Sequence, residues 1–132
     1  MSIEEYLKNK VSFVVKYSES GEPIVEKYKG IRKISDKEVK KAIRTVRGGR
    51  RIPRKILEVL PEIVNKLVEN KVPFKVLFGR NEITLSFSRT SFIRLYRDKV
   101  YVAGFKNLEE IPLSYIADII KKVGKIYMLK PL

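Results

Sequence analysis

The sequence predicts an α+β fold: an antiparallel β-meander packed with helices, preceded by an N-terminal hairpin and a helical pair. Three observations predict it. Apolar residues recur at three- and four-residue spacing through residues 54–70, then alternate with polar ones over much of 74–105. Such a change of period, from 3.6 to 2, marks the passage from helix to strand. Turn residues punctuate the alternating half at short intervals, as hairpin connections require. At 132 residues the chain fits one domain, residues 1–132, large enough to bury a core without staples.

Ser2 followed by Glu5 is a capping box, so a short helix is expected over residues 3–9. Phe13, Val15 and Tyr17 then alternate with more polar neighbours. Ser20-Gly21-Glu22-Pro23 is turn chemistry, and residues 24–31 read as the return strand of a hairpin. A second capping box, Ser35 and Glu38, opens a helix over about 36–46, with Val39, Ile43 and Val46 on one face. Gly48-Gly49 ends it in the manner of a left-handed C-cap. Pro53 suits the first turn of the next helix. That helix carries Ile56, Leu57, Leu60, Ile63, Val64, Leu67 and Val68 as a wide apolar stripe, and Pro61 inside it is expected to kink or split it.

After Val72-Pro73 come the strands. Residues 74–78 form one, Gly79-Arg80-Asn81-Glu82 a turn, and residues 83–88 the partner. Residues 92–97 and 100–105 read as another pair around a tight Asp98-Lys99 turn. Pro112 opens a last helix to about Val123, whose stripe is Ile116, Ile119, Ile120 and Val123. Gly124 ends it, and residues 125–129 are a short closing strand or tail.

Charge is the strongest functional signal. The formal net charge is +14. Residues 29–55 hold twelve Lys/Arg and only two acids, Asp36 and Glu38, a net +10 in 27 residues. A surface that merely solvates a protein usually mixes both signs; this stretch does not. A local cationic field suits a polyanion, because phosphates release condensed counterions when Lys and Arg neutralise them. Within it, Arg47-Gly48-Gly49-Arg50-Arg51-Ile52-Pro53-Arg54-Lys55 sets cations around two glycines that let backbone approach a phosphate. The following helix N-terminus adds partial positive charge. Arg47, Arg50, Arg51, Arg54 and Lys55 are therefore the expected phosphate-binding residues, with Lys40, Lys41 and Arg44 extending the track. The alternative is an ordinary helix–helix turn with solvated ends.

The meander supplies a second constellation. Ile83, Leu85 and Phe87 form an apolar face, as do Ile93 and Leu95 on the next strand. Opposite them stand Thr84, Ser86, Phe92, Arg94 and Tyr96. If Val100 and Val102 are core, Tyr101, Ala103 and Phe105 join that opposite face. Aromatics with Arg and hydroxyls on an open sheet are what stacking of unpaired bases needs, so Phe92, Arg94, Tyr96 and Tyr101 are the candidate base-stacking residues. The competing reading places a helix over this face and makes Phe92 and Tyr96 a second core layer. Alternation decides parity, not exposure.

Other chemistry finds little footing. Cysteine and histidine are absent, which removes disulfides, the usual zinc sites and any Cys or His nucleophile or His general base. The acids are scattered, whereas metal-dependent nuclease sites need clustered carboxylates. Neither enzymatic activity nor a metal or other cofactor is expected. No apolar run approaches the ~20 residues of a membrane span, and the acidic start, Ile3-Glu4-Glu5, lacks a signal-peptide core. A cytoplasmic location is expected. Abundant Lys, Ile, Val and Tyr would suit a hyperthermophile.

The run Lys40-Lys41-Ala42-Ile43-Arg44-Thr45-Val46-Arg47-Gly48-Gly49-Arg50-Arg51-Ile52-Pro53, then a long helix and a meander over 74–105, resembles the ThermoDBP-related single-stranded-DNA-binding proteins of hyperthermophilic archaea. The likeness lies in element order and charge placement over most of the chain. It implies sequence-tolerant binding of single-stranded DNA, in preference to RNA, by a helix-packed antiparallel sheet in a symmetric homo-oligomer. One member carries a C-terminal leucine zipper, whereas residues 112–132 hold no run of heptads, so any assembly would use another surface. Beside this expectation stand an RNA-binding subunit of a ribonucleoprotein and an assembly subunit with an acidic protein partner.

Overall fold

Ser2 starts the first helix as its spacing predicts: its hydroxyl accepts the Glu5 N–H at 3.2 Å, capping α1 (Ile3–Lys8). A computed structural model describes residues 2–30 and 51–129. The expectations for residues 36–46, for Gly48-Gly49, and for Lys40, Lys41, Arg44, Arg47 and Arg50 lie outside the described residues. The remaining elements are β1 (Phe13–Tyr17), β2 (Pro23–Lys27), α2 (Arg54–Glu69), β3 (Phe74–Phe78), β4 (Ile83–Ser86), β5 (Phe92–Tyr96), β6 (Asp98–Ala103), α3 (Leu113–Lys121) and β7 (Gly124–Leu129). The fold is α+β.

The strands form one seven-stranded sheet in the order β2-β1-β3-β4-β5-β6-β7. All neighbours are antiparallel except β6 and β7, which run parallel. A parallel neighbour needs a crossover, and α3 supplies it. The hairpin β1–β2 joins through β1, where Phe13 pairs with Val76 and Val15 with Phe74.

Alternation along each strand sends one set of side chains into a single core. Phe13, Val15, Val76, Ile83, Leu85, Ile93, Leu95, Val100 and Val102 are wholly buried. Against them pack Ile56, Leu60, Ile63, Val64 and Leu67 of α2 and Leu113, Ile116 and Ile120 of α3. Tyr6 of α1 stacks on Phe13, with ring centroids 5.4 Å apart. Tyr17 closes the edge of the core by donating its hydroxyl to the Val72 carbonyl at 2.8 Å.

Four details depart from the sequence reading. Pro61 neither splits α2 nor ends it. It sits on the exposed side, so the carbonyl of Leu57, deprived of its N–H partner, can be hydrated. The β5–β6 turn is Arg97-Asp98 and not Asp98-Lys99, because Tyr96 pairs with Lys99. Asp98 takes a left-handed φ of 58° there, a conformation Asp tolerates better than most residues. The strand 83–88 stops at Ser86, and Phe87 is only half-buried. Phe105 does not share the open face. Gly104, at φ +83°, breaks the alternation after Ala103, and Phe105 turns inward to 8% exposure, packing edge-on against Phe87 at 5.9 Å.

Candidate nucleic-acid interface

The residues of opposite parity form the second face of the sheet, which no described helix covers. Register aligns them in rows across the strands. One row runs Leu77, Thr84, Arg94, Tyr101, Tyr127 from β3 to β7. The next runs Glu26, Val14, Lys75, Ser86, Phe92, Ala103, Leu129 across the whole sheet. Tyr96, Lys99 and Lys125 form a third. Thr84, Ser86, Phe92, Arg94, Tyr96 and Tyr101 thus lie together on one face, as their alternation predicts.

Their packing is lateral, ring against ring and not ring into core. Tyr96 meets Tyr101 edge-on at 5.4 Å, and Tyr101 stacks on Tyr127 at 5.5 Å with 27° between planes. The guanidinium of Arg94 lies 4.9 Å from the Phe92 ring centroid. Lys125 Nζ stands 5.3 Å from the Tyr127 ring. Arg94 is exposed, while Phe92, Tyr96 and Tyr101 are half-buried by their neighbours. Tyr127 and Leu129 are 37% and 40% exposed, large apolar areas on the edge strand of this face. Among the described strand residues the cations on the face are Lys16, Lys75, Arg94, Lys99 and Lys125, against one carboxylate, Glu26. Among the described residues none of these five cations is in an ion pair.

The basic start of α2 lies beside this face. Arg54 and Lys55 line one open groove with Tyr96, Arg97 and Asp98. No acid stands in the first turn of α2, and Pro53 provides no side-chain cap, so the turn's free N–H groups add to the positive potential. Arg51 is exposed. Arg54 pairs with Glu58 at 3.0 Å, but the two side chains are 92% and 62% exposed. A pair so solvated contributes little to folding and yields readily to a phosphate. Glu62 pairs with Lys122 at 3.4 Å, and not with Lys66 as helical spacing suggests.

Of the predicted site, the structure brings Arg54 and Lys55 next to the Tyr96 end of the aromatic face. The sequence reading missed Tyr127 and Lys125. Their signal was available: Lys125, Tyr127 and Leu129 alternate with Ile126 and Met128, the period of a one-sided strand. It also missed Lys75 and Lys99, whose parity within their strands assigns them to the open face.

No helix among the described residues is long and apolar enough to cross a membrane. Compared with protein-family models, with curated proteins and with solved structures, the chain matches none.

Proposed function

We propose that this chain binds single-stranded nucleic acid with little sequence preference and catalyses no reaction on it. One observation carries the reading: a sheet face that no described helix covers, on which aromatic rings are interleaved with cations that have no ion pair among the described residues, next to a basic helix start. Bases offer π-faces of every sequence to such rings, each stacked base being worth roughly 1–3 kcal/mol. Arg94 and Lys125, held over Phe92 and Tyr127, sit where a phosphate flanking a stacked base would pass. Arg51, Arg54 and Lys55 add sequence-independent attraction. A duplex hides its base faces, so it would engage only the cations. The resemblance to ThermoDBP-related proteins favours DNA over RNA as the ligand.

The test is a titration of labelled oligothymidylate, of the same length as duplex, and of poly-glutamate as a stand-in for an acidic protein, over a range of salt. Binding to the single strand should be tightest. Its log–log salt slope should lie near −3.5, for about five phosphate contacts at about −0.7 each. Equal affinity for duplex, or displacement of the strand by poly-glutamate at equal charge, would overturn the reading.

A further inference from the structure

The open face does not end at β4. Lys75 on β3 pairs with Ser86, and Ser86 with Phe92, so Lys75 lies two strand spacings from Phe92, about 10 Å. On the far side Val14 separates Lys75 from β2. The Tyr28 N–H donates to the Ser12 carbonyl at 2.9 Å. This continues the hairpin ladder one residue past β2 and puts Tyr28 on the same face as Glu26. Lys75 Nζ stands 5.6 Å from the Tyr28 ring centroid. Lys16 and Lys29 line the same open groove as Tyr28 and Lys75.

Three cation–aromatic pairs therefore share one face: Lys125 with Tyr127, Arg94 with Phe92, and Lys75 with Tyr28. Their cations stand on β7, β5 and β3, each two strands from the next. Among the described residues four cations stand over aromatic rings, and three of the four pairs lie on this face. The regular interval matters more. Cations set two strands apart, each with an aromatic ring beside it, match a ligand that itself repeats a flat apolar group and an anion.

Resting on the single-strand reading above, we propose that one unpaired nucleic-acid strand runs across the β-strands from Tyr127 to Tyr28, so that Tyr28 and Lys75 form a third base-and-phosphate subsite. Six strand spacings span about 29 Å. At a rise between the ~3.4 Å of stacked nucleotides and a more extended chain, this is a footprint of about five to nine nucleotides.

Oligothymidylates of about four, six, nine and twelve nucleotides, bracketing that footprint, test it against the native chain and a Tyr28→Ala/Lys75→Ala variant. Affinity of the native chain should climb with length and level off near nine. The variant should bind the nine-nucleotide strand about tenfold more weakly, with a salt slope shallower by about 0.7, and bind the four-nucleotide strand as the native chain does. Lys75→Glu alone, at an exposed position, should reproduce the length-dependent loss if the double variant melts early. A plateau already at four nucleotides, or equal effects on short and long strands, would overturn the extended path and leave single-strand binding on β5–β7 standing. Absence of binding at every length would overturn both.

Discussion

Tyr101 and Tyr127 stack at 5.5 Å because β7 returns parallel to β6 and sets the two residues side by side in register. The pair, with Tyr96 edge-on to Tyr101 at 5.4 Å, makes a three-ring ladder across β5, β6 and β7 on the face away from the helices. A ladder like this is already ordered before any ligand arrives, so a base stacking on it meets side chains that have little rotamer freedom left to lose.

Tyr127→Ala should therefore weaken single-strand binding by roughly 1–3 kcal/mol while lowering the melting temperature only slightly, since the ring is 37% exposed. Phe92→Ala and Tyr96→Ala should behave alike. Phe13→Ala, at a wholly buried position, should do the reverse and cost about 3–5 kcal/mol of stability. Anisotropy titration and thermal melting of the four variants check this; a large stability loss with intact binding at Tyr127 would remove the ladder from the site.

Arg51→Glu/Arg54→Glu should cut affinity and flatten the salt dependence without moving the melting temperature. Arg51 is exposed, and the Arg54–Glu58 pair is solvated on both sides, so folding gains little from either. Normal binding by this variant at moderate salt would take the start of α2 out of the phosphate track.

Burial pushes the Tyr17 hydroxyl above its ordinary pKa of 10.0, and the same hydroxyl donates to Val72 O. A raised folded-state value means that this group's share of stability is full below pH 10 and is lost as pH rises through the folded value. Tyr17→Phe should cost about 0.5–1.5 kcal/mol at neutral pH. The gap between native and variant should close above pH 10, as chemical denaturation at stepped pH would show; a gap that stays constant would mean the hydroxyl does not titrate with unfolding.

Gly104→Ala should destabilise by about 1–3 kcal/mol. Its φ of +83° disfavours any side chain, and a Cβ there would stand 2.5 Å from the Thr90 carbonyl oxygen. Because Gly104 also turns Phe105 inward, the variant should lose packing between Phe87 and Phe105. Near-ultraviolet circular dichroism and melting would register this; an unchanged melt would mean the loop at Thr90 yields freely.

The amino-acid order alone determined most of the described elements and the parity of β4 and β5. Ser2 and Glu5 marked the first helix, Gly21 the hairpin turn, and the period-2 runs read over 83–88 and 92–97 separated Ile83, Leu85, Ile93 and Leu95 from Thr84, Ser86, Phe92, Arg94 and Tyr96. Those signals are local: a capping hydroxyl, a left-handed glycine, a side chain flipping with each residue. Only the tertiary structure decided which face the described helices cover and which strands are neighbours. Alternation is the same whether a helix covers Phe92 or water does, and the pairing of β6 with β7 depends on where α3 packs, through Leu113, Ile116 and Ile120, against the core. That packing brings Tyr127 beside Tyr101. The register of β1 against β3 likewise brings Lys75 and Tyr28 into contact across a separation that no local rule spans, because strand partners are chosen by the burial of the whole apolar face and not by the residues that end up on the other side.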